Sequence, residues 1–235
     1  MEDLGELLKQ SAANHGHLCS GQVLGVRLAM LGCRKVGIYD PKSSRDLIVY
    51  VEIDRCATDA IQSVTGCKLG KRTLKFMDYG KMAATFYNLR ENKAVRVLAR
   101  DDSRERAKEY GSATASTKES QTQAYMEMDD ADLFVVTLVR SKLRQDDLPS
   151  HPLSRVDCDQ CGEGINDKRE VVVDGRTLCK ACANGAYYMT AELCAPPDVV
   201  LSTDSTTDTN ISQDQSVVTP TPVVAVIGFS NSGKT

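Results

Sequence analysis

Apolar residues in the first 150 positions recur at two different spacings, which predicts a mixture of helices and strands. Helical spacing is seen at Leu4, Leu7 and Leu8 and again over residues 22–31, where we expect the helix to stop at Gly32. Residues 57–64 predict a third helix closed by Gly66, and a charged helix is expected from Ser103 toward Tyr110.

Strands are predicted where β-branched and apolar residues form short runs between turn residues. These runs cover residues 46–53, 73–77, 84–89, 94–99 and 133–139. A turn at Asn92-Lys93 makes the third and fourth runs a hairpin. The pattern as a whole predicts an α+β domain over residues 1–150, built on an antiparallel sheet with helices.

A second unit is predicted over residues 151–195 by four regularly spaced cysteines. Cys158, Cys161, Cys179 and Cys182 form a C-x2-C, x17, C-x2-C pattern, which is typical of a structural zinc site. The residues between the pairs predict a hairpin with its turn at Asp174-Gly175, followed by a helix through residues 183–191. We expect a small treble-clef-like zinc finger; two redox C-x2-C pairs are the alternative, but the surrounding βαβ pattern that they need is missing.

The last forty residues contain two segments of different composition. Residues 196–222 are rich in Ser, Thr, Asp, Gln and Pro and predict a flexible linker. An apolar strand pattern at residues 223–227 then leads into G-x4-G-K-T, with Gly228, Gly233, Lys234 and Thr235 at the defining positions. A phosphate site also needs the following helix and a distant acidic residue, so we expect no functional nucleotide binding from this truncated P-loop start.

Composition narrows the classes of function. The chain has 235 residues, 41% of them hydrophobic, and a formal net charge of −3, which gives no overall attraction to nucleic acid or an anionic membrane. No window approaches the length of a membrane-spanning helix, and the acidic N-terminus lacks the features of a signal peptide, so the expected location is cytoplasmic. Nine cysteines in such a protein favour reduced thiols and metal ligands.

Metal-binding side chains also crowd the segment from His15 to Gly21. Two of the three histidines, His15 and His17, lie within four residues of Cys19, just before an apolar helical run. Imidazole and thiolate are ligands of borderline-soft metals such as zinc, so the segment is a candidate metal or reactive-thiol site. A turn with one buried thiol and two solvated imidazoles is the structural alternative.

Several segments together resemble the FmdE family, which is named for a component of formylmethanofuran dehydrogenase. They are residues 15–21, 56–62, 65–67, 70–74 and 78–83, in this order. The resemblance spans residues 1 to about 195, including a C-terminal zinc finger, and implies an α+β core, metal binding and a homodimer. Residues 223–235 resemble the start of the MobB family of molybdopterin guanine dinucleotide biosynthesis.

The same segments suggest an open metal site in the N-terminal domain. Cys19 precedes a helix whose dipole stabilises a thiolate, and Cys56 lies between a strand and a helix. His17, Cys19 and Cys56 therefore form the predicted three-ligand site, with zinc as the expected ion and a fourth position open. His15 and Cys67 are reserve ligands.

Catalytic roles are less well defined by the sequence. Cys19, Asp59 and Lys81 are the candidates: Asp59 could orient a ligand, although a carboxylate in a first helical turn is also common without such a role. Lys81 could face a substrate or be a solvated loop charge. Cys33 and Cys194 are expected to be structural or incidental.

Two functions from different classes fit these predictions. One is a metal-binding accessory protein or enzyme of molybdenum-enzyme or one-carbon metabolism, with molybdenum-enzyme subunits as possible partners. The other is a zinc-finger interaction or transcription-regulatory module without catalysis. No membrane partner is expected, and sparse basic residues around the finger argue against nucleic acid.

Overall fold

A five-stranded sheet with helices packed on one face forms the larger part of the molecule. The computed structural model describes residues 2–110, 117–140, 142–150 and 153–189. The predicted linker, the P-loop segment and Cys194 lie outside the described residues. No helix within these ranges is long and apolar enough to cross a membrane.

The elements follow the predicted order, except that the helix predicted over residues 183–191 is wrong: the helix there is shorter and earlier, at Lys180–Asn184, because Cys179 caps its start and the chain leaves the helix at Gly185. The sheet contains β1 (Leu47–Val51), β2 (Leu74–Phe76), β3 (Ala83–Asn88), β4 (Lys93–Ala99) and β5 (Phe134–Val139). The helices are α1 (Leu4–His15), α2 (Ser20–Lys35), α3 (Cys56–Thr65), α4 (Ser103–Arg106), α5 (Thr117–Glu127) and α6 (Asp130–Leu133). Two further hairpins, β6 (Arg155–Asp157) with β7 (Gly164–Asn166) and β8 (Val171–Val173) with β9 (Arg176–Leu178), precede α7 (Lys180–Asn184).

The sheet is mixed rather than wholly antiparallel. Its strand order is β2-β1-β3-β4-β5; β1 pairs with β2 in parallel, and the other three pairings are antiparallel. The parallel pair arises because α3 connects β1 to β2 as a crossover, and such a connection returns the chain in the same direction. The predicted α+β class is confirmed, with one pairing corrected.

Helix α2 is the central helix of the core, and it does not end at Gly32 as predicted. It continues to Lys35 because Gly32 serves close packing rather than termination: a Cβ there would lie 2.1 Å from the Phe86 ring of β3. Gly66, in contrast, does close α3, with the left-handed φ of 68° that glycine adopts without strain.

Gly21 and Gly25 lie on the face of α2 that packs against α3. A Cβ at Gly25 would lie 2.6 Å from the Ala57 backbone, and one at Gly21 would lie 3.2 Å from Cys56 Cβ. Gln22, fully buried between them, accepts from Ser11 of α1 and donates to the Cys56 carbonyl at 2.5 Å. The three helices are therefore fixed to one another at the N-terminal ends of α2 and α3.

Edge strand β5 leaves part of the core face uncovered. Across the sheet, Val49, Phe86, Val95 and Leu138 form one row, and their exposed fractions are 0%, 0%, 4% and 74%. Val136 of β5, in the neighbouring row, is 38% exposed. An apolar surface therefore continues past the helices to the free edge of β5.

Close packing at Gly25 gives a stability prediction. We expect Gly25→Ala to lower the free energy of unfolding by about 1–3 kcal/mol, since the added methyl overlaps backbone atoms of α3 and this outweighs the better helix propensity of alanine. Urea denaturation monitored by circular dichroism measures the change. Gly70→Ala is the control, because a Cβ there meets no atom within 4 Å; equal stability of the two variants would contradict the packing argument.

Candidate metal centres

The N-terminal centre is built where α1 ends and α2 begins. Gly16 terminates α1 in the left-handed conformation, with φ 96°, so the chain turns sharply between His15 and His17. Cys19 is the N-cap of α2 but makes no side-chain cap bond, which leaves its thiol free for another partner. The predicted cluster is thus a turn that connects two helices.

His15, His17 and Cys19 come together in space. One ligand atom from each lies within 4.8 Å of the others, and the two imidazole rings are 4.9 Å apart between centroids. Of the three, His17 is exposed, whereas His15 and Cys19 are half-buried. The group has the donors of a zinc site with solvent access on the His17 side.

Asp59 contacts this group through His15. Its carboxylate oxygen lies 2.8 Å from His15 Nδ1, in the first turn of α3. A carboxylate at Nδ1 favours the tautomer that keeps the proton there, so Nε2 is the nitrogen left to act as a ligand. Asp59 therefore occupies the position of a ligand-orienting residue, as the sequence suggested.

The residues that cluster in the structure differ in part from the three predicted ligands. His15, which was expected as a reserve, joins His17 and Cys19, while Cys56 lies beside Cys19 but outside the tight group. Burial, together with hydrogen bonding to the Cys19 thiol, raises the pKa of Cys56. Cys56 therefore lies next to the group and is positioned to serve as an additional ligand.

Two other candidates lie elsewhere. Cys67 follows the opposite end of α3, buried, with its sulfur 3.9 Å from the Leu47 carbonyl, so its position does not suit the reserve ligand role. Cys33 is also buried in the core, as expected for a structural thiol. Lys81 is exposed in the segment before β3, where its backbone N–H donates to the Glu52 carbonyl, and it does not contact the histidine cluster.

An open groove of about 680 Å³ lies beside the cluster. His17, Leu18, Cys19 and Ser20 form one side. The other side consists of Arg104 of α4 and one face of α5, with Lys118, Glu119, Gln121, Thr122 and Gln123. The sequence pattern did not predict α5, because only its last turns bury apolar side chains, Ala124 and Tyr125.

Helix α5 is held against α2 by one arginine. Arg27 of α2 donates to the Tyr125 carbonyl at 2.9 Å and to the Met128 carbonyl, and it forms an ion pair of 2.7 Å with Asp130. Its side chain is 11% exposed, so these contacts are largely shielded from water. Cys19 and the α5 side of the groove are therefore connected through the same helix, α2.

The second centre confirms the four-cysteine pattern. The sulfur atoms of Cys158, Cys161, Cys179 and Cys182 lie within 4.8 Å of one another, and Cys179 is the N-cap of α7. Two tight hairpins deliver the pairs, and the predicted turn at Asp174-Gly175 has positive φ at both residues, 50° and 77°. Both residues of a type I′ turn have this sign.

Thiol chemistry at this centre favours a bound cation. Backbone N–H groups of Cys161 and Cys179 lower the pKa of Cys158 to about 6, whereas hydrogen bonding to Cys179 and burial raise the pKa of Cys182 to about 12. Without a cation, four clustered thiols therefore cannot all ionise. A set of four thiolates fits tetrahedral zinc, which offsets their mutual repulsion.

Comparisons with known proteins match the two parts of the chain to two families. Residues 14–135 match the family model of FmdE, described as molybdenum formylmethanofuran dehydrogenase operon, and residues 152–188 match the prokaryotic dksA/traR C4-type zinc finger. Neither match reaches residues 223–235, and the MobB resemblance is unsupported.

Two individual proteins are also similar. A curated relative from Archaeoglobus fulgidus, named as a probable S-adenosyl-L-methionine-binding protein, is 28% identical over 206 residues, which are 79% of this chain and 54% of the relative. The chain thus spans about half the length of this relative. A tungsten formylmethanofuran dehydrogenase FmdE-like protein from Syntrophus aciditrophicus has a similar fold, with TM-score 0.53 and 20% identity over 80% of this chain and 96% of that one.

Zinc should hold the finger together, because its own core is small. Among residues 153–189, the buried core consists of Cys158, Ile165 and Leu178. We expect Cys161→Ser to expose the backbone amides of residues 153–189 to rapid exchange while strands β1 to β4 stay protected, since these small hairpins depend on the ion. Hydrogen exchange with mass spectrometry measures this difference; Cys194→Ser is the control, and unchanged protection of the finger in Cys161→Ser would contradict the prediction.

Proposed function

The chain belongs to the FmdE family, and from this premise we propose that it is a metal-binding accessory protein or enzyme of molybdenum-enzyme or one-carbon metabolism. Its working centre would be the cluster of His15, His17 and Cys19, and its finger would be structural. The observation that carries the proposal is the convergence of these three ligand atoms within 4.8 Å beside an open groove. The metabolic assignment rests on the family name.

The two centres differ in the way that separates working sites from structural ones. The finger offers four thiolates, which complete a tetrahedral shell, whereas the N-terminal cluster offers three ligands and faces a groove. When bound there, a zinc ion supplies Lewis-acid chemistry at a remaining position. Asp59 orients His15, and the Cys56 thiol next to Cys19 is placed to complete the shell.

A zinc-finger interaction or transcription-regulatory module is the second candidate. The match of residues 152–188 to the dksA/traR-type finger favours it. Under this hypothesis the histidine cluster would be only structural, and the finger would supply the function. The metal content of the protein distinguishes the two candidates.

Metal counting tests the first proposal. We expect about two zinc ions per chain in the wild type and about one each in Cys19→Ala and Cys158→Ala, since each substitution removes a ligand of a different centre. Plasma emission spectrometry of the purified proteins gives the counts. Asp59→Asn should keep both ions but weaken the N-terminal one by about 10- to 100-fold in a chelator competition, because it only orients His15.

Asp40→Asn, a surface loop substitution, is the matched control for Asp59→Asn. A wild type with one zinc ion per chain, unchanged in Cys19→Ala, would reject the N-terminal centre and leave the finger module as the better candidate.

We further propose that two copies of the chain pair through the free edge of β5. This pairing would cover Val136 and Leu138, which extend the apolar core face without helices above them. An antiparallel arrangement would also bring Asp129, before the strand, near Arg140 and Lys142 of the other copy, after it. Among the described residues, none of these three side chains has an ion-pair partner.

Sedimentation velocity tests the pairing. We expect the wild type to sediment as a dimer of twice the 25.6 kDa chain mass, and Leu138→Glu as a monomer, because each introduced carboxylate would be buried at an apolar edge. Leu69→Glu, at a similarly exposed leucine, should remain dimeric. A monomeric wild type, or a dimer insensitive to Leu138→Glu, would reject β5 as the interface.

A further inference from the structure

The groove beside the histidine cluster has a positive lining. Arg104 and Lys118 both lie on it, opposite His17 and Cys19, whereas Glu119 is its one acidic residue. A divalent ion bound by Cys19 and two neutral imidazoles would add a further net positive charge. With an ion bound in the cluster, the groove would carry positive charge on both sides.

Arg104 differs from the other cations of its own segment. Arg100 and Arg106 pair with Asp102, and Lys108 pairs with Glu105, all at 2.6–3.0 Å. Within the described parts of the chain, neither Arg104 nor Lys118 has a carboxylate partner. Two cations that face one cavity without internal counter-charges are available to an external anion.

The α5 side of the groove also carries neutral polar groups. Lys118, Gln121 and Thr122 follow the helical spacing of one face, so they point into the groove together. Gln121 donates to the Tyr125 hydroxyl at 2.8 Å, which fixes its amide and leaves the amide oxygen as an acceptor. The volume of about 680 Å³ falls in the range of small-molecule sites.

From these observations we propose that the groove binds a small organic molecule through an oxyanion group, carboxylate or phosphate, held between Arg104, Lys118 and the open side of the His15, His17 and Cys19 centre. The proposal rests on the proposed function for the metal contact, whereas the contribution of Arg104 and Lys118 does not require the ion. Arg104 supplies a planar two-pronged donor and Lys118 a point charge, the usual pair for oxyanions.

Equilibrium dialysis of the full chain tests the proposal with two probes, inorganic phosphate and acetate, each labelled and raised to about 10 mM. We expect the wild type to bind at least one probe with a stoichiometry of one per chain. The double variant Arg104→Gln/Lys118→Gln should bind it about tenfold more weakly or worse, because two charges that face the anion are lost. Comparison of the probes shows which oxyanion is preferred.

The matched control is Lys9→Gln/Lys93→Gln, which removes the same two charges from exposed positions on α1 and at the start of β4. It should bind as the wild type does. Equal weakening in both double variants, or no binding of either probe by the wild type, would overturn the proposal.

Zinc content measured on the same samples separates this proposal from the metal centre. Two ions per chain with no effect of Arg104→Gln/Lys118→Gln would reject the anion site and leave the metal centre intact. One ion per chain, with binding still lost in that variant, would support the anion site and reject the metal centre.

Discussion

The close approach of α2 to α3 is the constraint on which the N-terminal centre depends. Helices normally pack with 8–10 Å between their axes, and glycine at the contact allows a shorter distance. Gly21 and Gly25 provide this contact on α2. The buried side chain of Gln22 hydrogen-bonds to Ser11 of α1 and to the Cys56 carbonyl of α3. Cys19 and His15 can meet Asp59 and Cys56 only because the two helix starts are held in register.

Charge compensation distinguishes the two centres physically. In the finger, backbone donors lower the pKa of Cys158, whereas the pKa values of Cys161 and Cys182 are raised, so these two thiols resist ionisation until a cation is present. Folding and metal binding are therefore coupled there. At the N-terminal cluster the side chains are held by a large packed core, so their arrangement is set by the fold, and His17 stays exposed to solvent.

Local sequence signals predicted the elements, but not how the elements meet. The β1 to β5 strands, the Gly66 stop and the Asp174-Gly175 turn follow from residues within a few positions of each other. The predicted helix end at Gly32 was wrong because the group that requires a glycine there, the Phe86 ring of β3, lies far away in sequence. The cluster contains His15, whereas the sequence predicted Cys56 there. The reason is again non-local, since the contact between His15 and Asp59 joins residues 44 positions apart.

The contacts of α5 show that α2 positions the elements around the histidine cluster. The α5 sequence has almost no apolar stripe, so besides the buried Ala124 and Tyr125 its position depends on Arg27, which binds two carbonyls at its end and Asp130 beyond it. Arg27 lies eight residues after Cys19 on α2, about 12 Å along the axis. The same helix therefore presents Cys19 at its start, holds α3 through its glycine face, and fixes α5 through Arg27.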